Sequence, residues 1–137
     1  MITCTLLAAT QLQAQAYRCP HITAAPVLDG NVATEGLWQT VPVATGFRKL
    51  GGSYVATKQT TVRFAWGDDA LYVAITCEEP DAGELRPNIK DGGDTWLEDS
   101  IELFLQPEQN GQIYQFSVTA GGAKGCGEGR PDLTKWA

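Results

Sequence analysis

Thr60-Thr61-Val62-Arg63-Phe64-Ala65-Trp66, then Gly67-Asp68-Asp69-Ala70, then Leu71-Tyr72-Val73-Ala74-Ile75-Thr76-Cys77-Glu78 is the stretch that decides the fold. The first run alternates, with Val62, Phe64 and Trp66 sharing one face. The last run alternates too, with Leu71, Val73, Ile75 and Cys77 together. Successive side chains of a strand point to opposite faces, so each run reads as a half-buried strand. The Gly-Asp-Asp-Ala link is a turn, which makes the pair a β-hairpin. On this pattern Trp66 belongs in the core, and Cys77 is a buried thiol rather than a reactive one.

A second such pattern follows a polar loop, Glu79 to Gly93, that is rich in Pro, Gly and Asp. In Ser100 to Leu105, Ile101, Leu103 and Leu105 point one way, and Ser100, Glu102 and Phe104 the other. In Ile113 to Ala120, Tyr114, Phe116 and Val118 oppose Gln115, Ser117 and Thr119. Pairing of the two runs sets Glu102 near Gln115 or Ser117. The Gly-rich run from Gly121 to Arg130 reads as a flexible connection, and no closing strand follows it.

Upstream, Pro26 to Asp29 reads as a short strand entering an Asp29-Gly30 turn. Asn31 to Trp38 reads as a single helical turn, with Trp38 as a core plug. Val41 to Leu50 is irregular or an edge strand, because Pro42 lacks the N–H of a central strand. Roughly five or six short strands linked by hairpins predict an all-β fold, an antiparallel β-sandwich of the immunoglobulin or jelly-roll type, incomplete on the C-terminal side.

Composition narrows the function. The chain has 137 residues, enough for one domain, and its 10 Lys+Arg against 16 Asp+Glu leave a net charge of −6. An acidic chain without a basic run does not suit nucleic acid or an anionic membrane surface. Met1 to Ala16 is uncharged, apolar around Leu6 to Ala9, and ends in Ala14-Gln15-Ala16. It reads as a secretory signal peptide ahead of a domain at 17–137, and implies a secreted or periplasmic protein. No apolar run reaches the ~18–20 residues that span a bilayer. Removal of Cys4 with the signal leaves Cys19, Cys77 and Cys126, an odd number whose pairing stays open. The single histidine, His21, leaves no zinc set and no convincing Ser/His or Cys/His mechanism. No Gly-x-Ser-x-Gly elbow or phosphate loop is present.

The chemistry concentrates in Asp94-Thr95-Trp96-Leu97-Glu98-Asp99-Ser100-Ile101-Glu102. A pyranose has apolar C–H faces and an equatorial belt of hydroxyls. A flat indole beside a hydrogen-bonding carboxylate suits both. Trp96 lies among polar neighbours, which favours an exposed ring; a tryptophan closing the end of a sandwich is the alternative. Glu102 either binds a ligand or sits on a solvated sheet face. Asp99 is placed to tie the loop down by accepting backbone N–H groups. Asp94, Glu98 and Asp99 are weak calcium candidates, without the spacing of an EF-hand loop.

Four blocks in order carry a family resemblance. They are Val27-Leu28-Asp29-Gly30 with Trp38; Thr60 to Asp68 running into Ala70-Leu71-Tyr72-Val73-Ala74; Trp96 to Phe104; and Tyr114-Gln115-Phe116. Over roughly Ile22 to Ala123 the chain resembles the family 9 carbohydrate-binding modules and the related DOMON-like sugar-binding domains. The resemblance implies a non-catalytic β-sandwich that binds ends of glucan or xylan chains, with Trp96 stacking and Glu102 hydrogen bonding. It adds Gln115 and Ser117 as candidate binding residues, although the family places a sugar-binding arginine where Ser117 stands. It implies a structural calcium in some members; some DOMON-like relatives carry haem, but Met1 and His21 are the only candidate axial ligands here, so no cofactor is expected. The family's second stacking tryptophan falls beyond this stretch, and Trp136 comes too early to align with it. Such a module is appended to, or cut from, a glycoside hydrolase or a similar extracellular protein. A structural spacer domain with no ligand of its own is the alternative.

Overall fold

The computed structural model describes residues 16–52, 54–127 and 132. The expected signal peptide, apart from Ala16, and Trp136 lie outside these residues. The chain divides into two units, 1–78 and 79–137. Strands dominate, and the one α-helix among the described residues is short, so the fold is all-β and antiparallel.

In the first unit, β1 (Thr60–Trp66) pairs with β2 (Leu71–Cys77) from Thr60↔Cys77 to Trp66↔Leu71. Gly67 N–H donates to the Ala70 carbonyl at 2.9 Å and closes the turn. The hairpin expected from the alternation is therefore present. The other edge of β1 is also occupied. Ile22 N–H donates to Trp66 O, Trp66 N–H to Pro20 O, and Ala44 and Val62 exchange both bonds. The Tyr17 hydroxyl accepts Phe64 N–H at 3.0 Å and donates to the Pro42 carbonyl. A helical turn, α1 (Gly36–Thr40), buries Trp38 to 3% exposure as expected. Pro26 to Asp29 forms no strand, and Val27 and Leu28 stand exposed.

The core of this unit corrects the expectation. Ile22, Trp38, Val41, Ala65 and Ala74 form the buried cluster, with Tyr72 packed against it. Ala65 and Ala74 belong to the face opposite Val62, Phe64 and Trp66. Their small side chains leave the volume that an indole can fill, so the face with less apolar bulk became the core. Trp66 is 48% exposed and Cys77 is also exposed, although the pattern placed both inside. Both stand on end rungs of the ribbon, Trp66↔Leu71 and Thr60↔Cys77, where cover runs out. Mid-strand, Val62 is buried and Phe64 meets the Tyr17 ring edge-on at 5.5 Å. The thiols of Cys19, Cys77 and Cys126 are all free, and burial pushes that of Cys19 up.

In the second unit, β3 (Ser100–Leu105), β4 (Tyr114–Thr119) and β5 (Lys124–Cys126) form one antiparallel sheet in that order. The β3–β4 register pairs Glu102 with Ser117 and Phe104 with Gln115. The third strand departs from the sequence reading. Within the glycine-rich run, Lys124–Cys126 is a strand rather than a flexible connection: Ser117 pairs with Gly125 and Val118 with Lys124. Glycine is unfavourable in a strand unless another group must come close to its backbone.

Candidate functional site

One face of the second sheet carries Ser100, Glu102 and Phe104 on β3, Thr119, Ser117 and Gln115 on β4, and Gly125 on β5. The polar loop folds onto this face at a 3-10 turn, Thr95–Leu97. Backbone bonds shape the turn: Thr95 N–H donates to Gly93 O, Leu97 N–H to Asp94 O and Glu98 N–H to Thr95 O. Thr95 points into the protein and is 3% exposed; its neighbour Trp96 points out and is 66% exposed. Thr95 Oγ1 and Ser117 Oγ, both buried, lie 2.6 Å apart. A Cβ on Gly125 would stand 2.6 Å from Ser117 Oγ and 2.7 Å from Thr95 Oγ1. The missing side chain of β5 is thus the seat for the threonine that plants the Trp96 turn.

Three further contacts hold the loop. Glu98 Oε1 accepts the N–H groups of Asn88 at 2.6 Å and Ile89 at 3.0 Å. Asp91 Oδ1 accepts Lys124 N–H, and Gly92 N–H donates to Lys124 O. Pro87 covers Gly121, whose added Cβ would fall 2.5 Å from the proline ring. The tie expected of Asp99 is therefore made by Glu98, while Asp99 takes Ala120 N–H through its backbone carbonyl. The second oxygen of Glu98 is buried without a hydrogen-bond partner. A depression of about 240 Å³ lies between Leu85, Arg86 and Pro87 on one side and Leu97, Glu98 and Ala120 on the other.

The four sequence-derived binding residues fall into two groups. Trp96 and Glu102 are exposed. Gln115 is half-buried and donates Nε2–H to Glu102 Oε1 at 3.0 Å. Ser117 is 4% exposed and its hydroxyl is engaged by Thr95. The hairpin does bring Glu102, Gln115 and Ser117 together, and Thr95 links that rung to the Trp96 turn. Asp94 and Asp99 are exposed, and among the described residues no group of three or more His, Cys, Asp or Glu side chains is placed to hold a metal. Glu98 Oε1 is committed to the two backbone donors of Asn88 and Ile89. Sequence reasoning missed Thr95, Gly125 and Gly127. The available signal was two glycines spaced by the strand period in a run that pairs after all.

The second sheet thus presents an exposed carboxylate, Glu102, and the adjoining turn an exposed indole, Trp96. The family profile described as "Carbohydrate family 9 binding domain-like" matches residues 28–120, more than half of the chain. The protein belongs to that family, whose domains bind carbohydrate without catalysing a reaction. No curated protein and no solved structure matches the chain. Among the described residues no helix is long and apolar enough to cross a membrane.

Proposed function

We propose that the protein binds the ends of glucan or xylan chains, with a pyranose stacked on Trp96 and its hydroxyls donating to the Glu102 carboxylate. The observation that carries this reading is the contrast at the turn: Thr95 is sealed while Trp96 stands bare. A large apolar ring held in water by an anchored turn supports the reading of a stacking platform. Gln115 holds the carboxylate from the side, and Ser117 supports the platform from below without touching sugar. Residues 17–137 form the module, behind a cleaved signal peptide at 1–16, in a secreted or periplasmic protein that acts on polysaccharide. The burial of Ser117 favours the second reading, a spacer domain without a ligand, because it withdraws one candidate contact.

Affinity electrophoresis through gels containing hydroxyethylcellulose or xylan separates the two. Wild-type protein is retarded, and Trp96→Ala migrates as it does in a gel without polysaccharide. Sugar–aromatic stacking contributes about 1 kcal/mol beyond buried area, by analogy with aromatic pairs. Equal retardation of both proteins would overturn Trp96 as the platform, and retardation of neither would leave the spacer reading standing.

A further inference from the structure

We propose that Gly127 is a positioning residue of the sugar site: its missing side chain lets Gln115 lie where its amide holds Glu102. This rests on the reading of Glu102 as a ligand-binding carboxylate. Gly127 follows β5, and its N–H donates to the Gln115 carbonyl at 3.4 Å. It extends the alternation of Gly125, so any side chain at 127 would rise on the same face as Gln115 and Glu102. A Cβ built on Gly127 overlaps Gln115 Oε1 and stands 2.6 Å from Gln115 Cδ. The glutamine amide therefore occupies the space over the glycine, its oxygen nearest. From there its Nε2 reaches Glu102 Oε1 at 3.0 Å, one strand away.

The contact has a consequence for recognition. An exposed glutamate has several free torsions, and ordering it on binding costs entropy. A donor fixed on Oε1 removes much of that freedom beforehand. The pair Gly125 and Gly127 thus does two jobs with one strand period. The first glycine admits Thr95 beneath the stacking ring, and the second admits the amide that steadies the acid. Both lie in the glycine-rich run, beyond residues 28–120 that the family profile matches.

The test is a double-mutant cycle on Gly127→Ala and Gln115→Asn, read by retardation in hydroxyethylcellulose gels. Asparagine is one carbon too short to reach Glu102. Each single variant is expected to bind about threefold to tenfold more weakly, the range of one ordinary hydrogen bond. The double variant is expected to bind no more weakly than either single one. The urea midpoint of Gly127→Ala should match wild type, because the displaced group is the tip of a flexible side chain. The side-chain amide of Gln115 gives a second readout in ¹⁵N–¹H spectra. Its resonance should move in Gly127→Ala and move alike in Glu102→Ala. Wild-type affinity in Gly127→Ala, losses that multiply in the double variant, or an unmoved amide would overturn the proposal. If wild type ignores polysaccharide altogether, the sugar reading falls, and the amide spectrum still decides whether Gly127 sets the Gln115–Glu102 contact.

Discussion

Replacing Thr95 by Val keeps its shape and removes one hydroxyl from the buried pair with Ser117. The two oxygens are 2.6 Å apart, and the residues are 3% and 4% exposed, so water cannot substitute. Ser117 Oγ is then stranded in a dry site. An unsatisfied buried polar group costs about 1–3 kcal/mol. With a urea slope of roughly 1–3 kcal/mol per molar for a small protein, the midpoint should fall by about 1 M. Ser117→Ala should cost a similar amount for the mirrored reason, and it also leaves a small gap. The double variant removes both partners and strands neither, so its loss should be well below the sum of the single losses. Urea titration with amide exchange at Ser117 and Gly125 reads both the global and the local effect. Thr95→Val should in addition weaken polysaccharide binding, because the turn bearing Trp96 loses its pin. Losses that add would refute the coupling, and a stable Thr95→Val protein with wild-type exchange would refute the pin.

Other outcomes follow from the same geometry. Gly125→Ala should destabilise the second unit by roughly 1–3 kcal/mol, the usual range for overpacking, because its methyl meets both hydroxyls; urea denaturation reads the loss. Glu98→Ala should free the N–H groups of Asn88 and Ile89, speed their hydrogen exchange, and open loop 79–99 to limited proteolysis. Glu102→Gln should retain the fold and weaken binding about tenfold or more, since hydrogen bonds to a charged group contribute about 1.5–3 kcal/mol; titration calorimetry with cello-oligosaccharides measures it. The Asp29 carboxyl is held below its ordinary value of 3.8, first by the side-chain N–H of Asn31 and then by its backbone N–H. As pH falls below that ordinary value the unfolded chain takes up the proton first. The contribution of Asp29 is therefore lost as pH drops through the folded midpoint. Carboxyl NMR should show Asn31→Ala moving that midpoint back up.

Much of the fold was legible in the residues. Alternation located four strands, and the turn signals joined them as two hairpins. The exposure of Trp96 followed from its polar neighbours, and the meeting of Glu102 with Gln115 followed from the hairpin. The buried Trp38 was legible as well, since an indole beside a helical turn has few other places to go.

Period-two spacing states which side chains share a face of a strand. It does not state which face will be covered, because cover comes from segments far away in the chain. That is why Ala65 and Ala74, rather than Phe64 and Trp66, line the cluster around Trp38. It is also why Ser117, polar on a polar face, ended buried beneath Thr95. The glycines of β5 have no side chains to alternate, so their strand was invisible until Lys124 found Val118. Only the folded chain could turn that absence of side chains into space for a threonine and a glutamine.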